Sequence, residues 1–171
     1  MKKPSAAIGT TAFLVCVPGV VAGLLPWWIT RWQVRQSGAA WLPLRVAGAA
    51  MVVLGAGALI HAFVRFVGEG TGTPAPVAPT ERLVVGGLYR YVRNPMYLAV
   101  AGIIVGQAAL QAQLGLLVYA AAVLVVVEVF VRGYEEPTLQ HRYGSQYATY
   151  CEAVPRWLPR RTAWHPDSES T

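Results

Sequence analysis

Glu135 and Glu136 follow Arg132, and an upstream segment sets Arg90 and Arg93 just before Asn94-Pro95-Met96-Tyr97. Almost everything around these two clusters is apolar. A carboxylate pair taken out of water is costly unless cations or ammonium groups compensate it. Arginine can grip a carboxylate through two parallel hydrogen bonds. Together the clusters would suit a zwitterionic ligand with an amino-acid end. Anchoring of basic residues at a membrane edge, with weak surface ion pairs, is the plainer account. It suits Arg160 and Arg161, whereas for Arg93 and Glu135 both accounts stand.

The apolar runs define the elements that must position these groups. Residues 4–30 carry no charge, and residues 46–64 carry none apart from a possible one on His61. Residues 94–127 are uncharged throughout. A membrane-crossing helix needs roughly 20 apolar residues, so each of the first two runs supplies one span. The third is too long for one and is interrupted by Gln107, Gln111 and Gln113. It reads as a helical hairpin over 95–110 and 114–132, which sets Arg90 and Arg93 beside Arg132, Glu135 and Glu136. The fold class is all-α: a polytopic membrane protein with about four transmembrane helices and a C-terminal cytoplasmic amphipathic helix. A cleaved signal peptide is the alternative for the N-terminus. The length of that run, with Trp27, Trp28 and Trp32 at its far end, favours a retained span.

Of the 14 lysines and arginines, only Arg31, Arg35 and Arg45 fall in the loop between the first two runs. This favours cytoplasmic N- and C-termini, with those three residues as exceptions to the rule. The chain thus divides into residues 1–67 with two helices, a cytoplasmic connector over 68–94, the hairpin over 95–132, a capping segment over 133–161 and a polar, disordered tail over 162–171. Within the connector, residues 68–80 are rich in Gly, Pro and Thr and read as irregular. Asn94 suits a helix N-cap and Pro95 the first helical position. Pro137 reads as the restart of a helix. Leu139, Tyr143, Tyr147 and Tyr150 give it one aromatic stripe, simply explained by a helix lying on the membrane surface.

Other function classes are excluded or weakened. Charged residues make up 13% of the chain, about half the usual soluble fraction. The net charge of +6 forms no continuous basic face and does not indicate nucleic acid. Cys16 and Cys151 lie far apart, and His61, His141 and His165 lack metal-ligand spacing, so neither a disulfide framework nor a metal site is expected. His61 and Glu128 lie inside helical runs, where ionisable groups are candidate functional residues, although either could reach the interface. Gly48, Gly55 and Gly57 would permit close helix packing, within one copy or between copies.

The segments GGLYRYVRNPMYLA, EEPTLQHRYGSQYATY and VPRWLP resemble the isoprenylcysteine carboxyl methyltransferase family and the related phospholipid amine methyltransferases. The resemblance covers about residues 81–159. It implies methyl transfer from S-adenosyl-L-methionine to a membrane-soluble, lipid-like or prenylated acceptor. It also implies a cofactor pocket on the cytoplasmic side, closed by the C-terminal segment. Carried onto this chain, Arg82, Leu83, Val84, Tyr89, Asn94, Pro95, Met96 and Tyr97 would line the cofactor. Glu135 would bind its amino group, with Glu136 alongside. Arg93, Arg132 and Glu135 would be the catalytic set, and Arg132 and Arg142 would face the acceptor. Asn94 replaces the histidine usual in the family triplet, and Asn cannot titrate near neutral pH. Ala99 replaces a usual glycine. An isoprenylcysteine-type carboxylate or thiol is the expected acceptor. A phospholipid amine or a small thiol is the alternative, and a non-catalytic ligand-binding or partner subunit is the reading from another class.

Overall fold

The computed structural model describes residues 16–35, 38–70 and 83–165, and within them every regular element is helical. Helix α1 spans Cys16–Thr30, α2 Leu42–Gly70, α3 Pro95–Gln111 and α4 Leu114–Phe130. The chain continues from α4 through a π-helical turn, Val131–Glu135, into α5 (Glu136–Tyr143), and α6 covers Ser145–Ala153. By length and composition two helices could cross a membrane, Ala39–Phe66 and Leu114–Tyr143, and α1 and α3 are shorter apolar helices. Within those two candidate spans only 11% and 17% of the most apolar stretch is buried inside the protein. A helix at the core of a soluble protein would be mostly buried. Here Val53, Leu54, Val118 and Val126 are each about 70% exposed, as a lipid-facing surface requires.

Two prolines explain the irregular turns. Pro26 and Pro137 cannot donate to the carbonyl four residues back, and each ring crowds that carbonyl. In both places the helix widens into a π turn just ahead of the proline, at Val20–Leu24 and at Val131–Glu135. The freed carbonyls of the first turn find side-chain donors. Gln107 Nε2 donates to Ala22 O at 2.6 Å, and the Tyr119 hydroxyl donates to Val21 O at 2.8 Å. Gln107 therefore ties α3 to α1, and does not merely mark a break in an apolar run. Pro137 does not restart a helix; the helix passes through it by way of the second π turn.

Helix α2 lies closely along α3. A Cβ on Gly48 would stand 2.6 Å from Gly106 O, and one on Gly106 would stand 2.8 Å from Gly48 O. Gly55 likewise faces Ile103 and Ala99, whereas Gly57 faces open space. Gly48 and Gly55 thus serve packing within one copy. Ala112–Gln113 joins α3 to α4, with Ala112 in the left-handed conformation. Ala22, Val100, Ile104, Ala108, Leu116 and Ala120 form the core shared by α1, α3 and α4.

The irregular connector expected from residue 68 begins later, since α2 continues to Gly70; residues 71–82 lie outside the described residues. At the other end Trp164 is buried with Tyr147, Tyr150 and Val154, so the tail expected to be disordered from Thr162 is packed through Trp164. The aromatic stripe also turns inward. Gly144, at φ +53, separates α5 from α6 and lets Tyr147 and Tyr150 bury against Leu83, Val85 and Trp164. A bent helical pair facing the core replaces the single surface helix.

Candidate active site

Residues 150–164 are laced to residues 89–94. The Tyr150 hydroxyl donates to Tyr89 O at 2.7 Å. Backbone N–H groups of Arg160 and Trp164 donate to Tyr91 O and Arg90 O, and Arg93 N–H donates to Pro155 O. Asn94 occupies the N-cap position of α3 but makes no side-chain cap; its Nδ2 donates to Arg156 O at 3.3 Å. The competing carbonyl explains why the expected capping bond is not formed. Burial raises the pKa of both Tyr89 and Tyr150 above the ordinary phenol value, so both phenols stay neutral over the working pH range.

The carboxylates then divide. Glu136 Oε1 accepts from Arg93 at 2.9 Å, and both of its oxygens accept from Arg156 at 2.7 Å in a fork-to-fork pair. Glu128 pairs with Arg132, lies 3.6 Å from Arg156 and accepts from Trp157 Nε1 at 2.6 Å. Glu69 pairs with Arg65 at 3.4 Å and accepts from Gly86 N–H at 2.9 Å. Glu135 differs from all three. Its hydrogen bond is to the Tyr97 hydroxyl, at 2.9 Å, and among the described residues no arginine or lysine reaches it. It is half-buried, which makes an unpaired negative charge expensive.

Arg93, Asn94, Tyr97, Glu135 and Glu136 come together at the start of α3 and the end of the π turn. Glu136 does not stand free beside Glu135, because two arginines neutralise it. Arg132 turns to Glu128, one helical turn back, with 63% of its side chain exposed. It makes no contact with Glu135 among the described residues. Arg142 lies 5.9 Å from the centre of the Tyr143 ring on α5. Leu83 packs on the Tyr147 cluster; Val84 and Tyr89 are buried with Ala62, and Met96 packs against them. Pro95 is buried at the first turn of α3. Arg82 lies outside the described residues.

Sequence reasoning missed Arg156 as the second partner of Glu136, and Cys151, whose Sγ lies 2.8 Å from Arg93 Nη1. It also missed Trp164, though a tryptophan in an otherwise polar tail was a visible signal. The Arg93 Nε–H is buried with no acceptor among the described residues, as are Arg90 Nε–H and Trp164 Nε1–H in the same two segments. The region therefore offers an unpaired carboxylate at Glu135 and an unused guanidinium donor at Arg93. These complement the ammonium and carboxylate ends of an amino acid, so the residues present fit the methionyl portion of S-adenosylmethionine.

Residues 44–146, more than half of the chain, match the phospholipid methyltransferase family. The chain belongs to that family, which makes it a membrane methyltransferase. Methyltransferases of this family generally use S-adenosylmethionine. No curated protein and no solved structure matches the chain.

Proposed function

We propose that the protein transfers a methyl group from S-adenosylmethionine to an acceptor dissolved in the bilayer. The observation that carries this reading is Glu135, the half-buried carboxylate left without a basic partner while Glu69, Glu128 and Glu136 each have one. In this reading α1, α2, α3 and α4 are four spans, with α3 and α4 a membrane hairpin and both termini cytoplasmic. Glu135 takes the ammonium group, and Tyr97 fixes the rotamer of that carboxylate. Arg93 presents Nε–H to the ligand carboxylate while Glu136 and Cys151 hold its other end.

When bound, S-adenosylmethionine supplies a methyl group already activated on a sulfonium sulfur. The protein's own task is then positioning and exclusion of water. Residues 150–164 supply the exclusion by lying across residues 89–94. Asn94 cannot act as a base, and Glu136 is held by two cations. With Glu135 on the ammonium group, no base is available at this site among the described residues. An acceptor that is already anionic needs none, which supports an isoprenylcysteine-type carboxylate or a thiolate. The family match supports the second reading, a phospholipid amine, which would have to lose its proton by another route.

Calorimetry on the detergent-purified protein tests the cofactor reading. S-adenosylmethionine should bind to wild type and not to a folded Glu135→Ala variant. Equal binding to both sinks the assignment. With labelled cofactor and mixed acceptors, a product methyl group released by mild base marks an ester, and a base-stable one an amine or thioether.

A further inference from the structure

We propose that a cleft between α2 and the Gly86-Gly87 turn is a binding site for a phosphate group, separate from the Glu135 site. The cleft holds about 340 Å³ and is lined by His61, Arg65 and Glu69 from α2, and by Gly86, Gly87 and Arg90 from the turn. Two guanidinium groups, an imidazole and one carboxylate thus line it, and Arg90 Nη1 lies 3.4 Å from His165 Nε2. That carboxylate is already engaged, by Arg65 and by the Gly86 N–H. Arg90 Nε–H is buried with no acceptor among the described residues. His61 makes no hydrogen bond or ion pair there. The cleft therefore has donors in excess and a net positive charge, the complement of a phosphate mono- or diester.

The two glycines make the arrangement possible. A Cβ on Gly86 would collide with the Glu69 carboxylate. Gly87 sits at φ +57, and a Cβ there would stand 2.8 Å from His61 Nε2 and 3.0 Å from Arg65 Cγ. Bare backbone lets the α2 side chains close on the turn. Neither glycine is explained by the Glu135 site.

The cleft opens onto a recess along α2 that includes Val64, itself 61% exposed. Polar groups thus give way to the exposed apolar face of α2 near the end of its apolar stretch at Phe66. A lipid headgroup phosphate and a free phosphate share the chemistry of the cleft, and the lipid alone would use this recess.

The test uses the full-length protein, delipidated in neutral detergent. Native mass spectrometry would follow phosphatidylglycerol and diacylglycerol, and calorimetry would follow inorganic phosphate. Retention of phosphatidylglycerol over diacylglycerol, weakened at least tenfold in Arg65→Gln and Arg90→Gln, is the expected result. Inorganic phosphate binding with the same variant sensitivity also supports the site and shows that the phosphate alone suffices. Arg65 is exposed on α2, so Arg65→Gln remains informative if Arg90→Gln fails to fold. Equal retention of the two lipids with no phosphate binding overturns the proposal, as does unchanged affinity in folded Arg65→Gln. The probes contain no cofactor, so a wild-type protein that fails to bind S-adenosylmethionine would refute the Glu135 reading without touching this one.

Discussion

Tyr97 and Glu135 meet through a 2.9 Å hydrogen bond that spans two helices, and the phenol is the partner of that carboxylate where arginines serve its neighbours. A neutral donor orients a carboxylate without cancelling its charge. Glu135→Ala should therefore weaken S-adenosylmethionine binding by about a hundredfold, the scale of losing one partner of a buried charge pair. Thermal stability should hold or rise, because a half-buried unpaired charge is removed. Tyr97→Phe should weaken binding less, by roughly tenfold, the worth of one hydrogen bond to a charged group. Calorimetry and a thermal melt on the same samples check both.

Glu136 has the opposite character. Its fork with Arg156 and its bond to Arg93 join α5, the segment ahead of α3 and the C-terminal segment. Glu136→Ala leaves two guanidinium groups facing each other and should cost about 2–4 kcal/mol of stability, near the lower end of the range for breaking a buried pair because the groups are partly exposed. A denaturant or thermal unfolding series in detergent measures this. Arg156→Lys should recover only part of the Arg156→Ala loss, since lysine cannot reproduce the fork.

Close helix contact gives a prediction with its own control. Gly48→Ala and Gly106→Ala should each destabilise the protein by about 1–3 kcal/mol, because the added methyl meets backbone that cannot move alone. Gly57→Ala, facing open space on the same helix, should be neutral or slightly stabilising. Equal melting temperatures for Gly48→Ala and Gly57→Ala would contradict the packing described for α2 and α3.

Alkaline pH should loosen the C-terminal segment. Burial raises the Tyr150 and Tyr89 pKa values above that of an unfolded tyrosine, near 10. The folded chain then holds those protons more tightly than the unfolded one. The stability they contribute is complete below about pH 10 and is lost as pH rises toward the elevated folded values. Tyr150→Phe should flatten that alkaline decline while costing about 1 kcal/mol at neutral pH through the hydrogen bond to Tyr89 O. Melting temperatures between pH 8 and pH 11 (a range set by the ordinary phenol pKa) show whether the slope changes.

Much of this was legible in the sequence. Charge-free runs locate the long helices, because hydrocarbon tolerates little else. The meetings of Tyr97 with Glu135 and of Arg93 with Glu136 follow from two motifs at either end of one apolar stretch. The partners of the carboxylates were not legible. Nothing in Glu135-Glu136 says which residue an arginine will neutralise, since that depends on a π turn that re-aims each side chain. Pro137 signals the distortion, yet it reads equally well as a helix start. Asn94 has the right type for a cap, and only the nearby Arg156 carbonyl shows why it does otherwise. Trp164 lies among polar residues, and its burial depends on aromatic partners distant in sequence.

Residues 150–164 lie across residues 89–94, and this fixes an order of assembly during synthesis. Chains are made from the N-terminus, and earlier segments fold while later ones are still being added. The two long apolar helices, α2 and α4, can enter the bilayer while the tyrosine and tryptophan that fasten the first motif are still inside the ribosome. The nascent protein therefore passes through a stage with its long helices in place and residues 89–94 uncovered, and the closing of residues 150–164 over them is the last act of its folding.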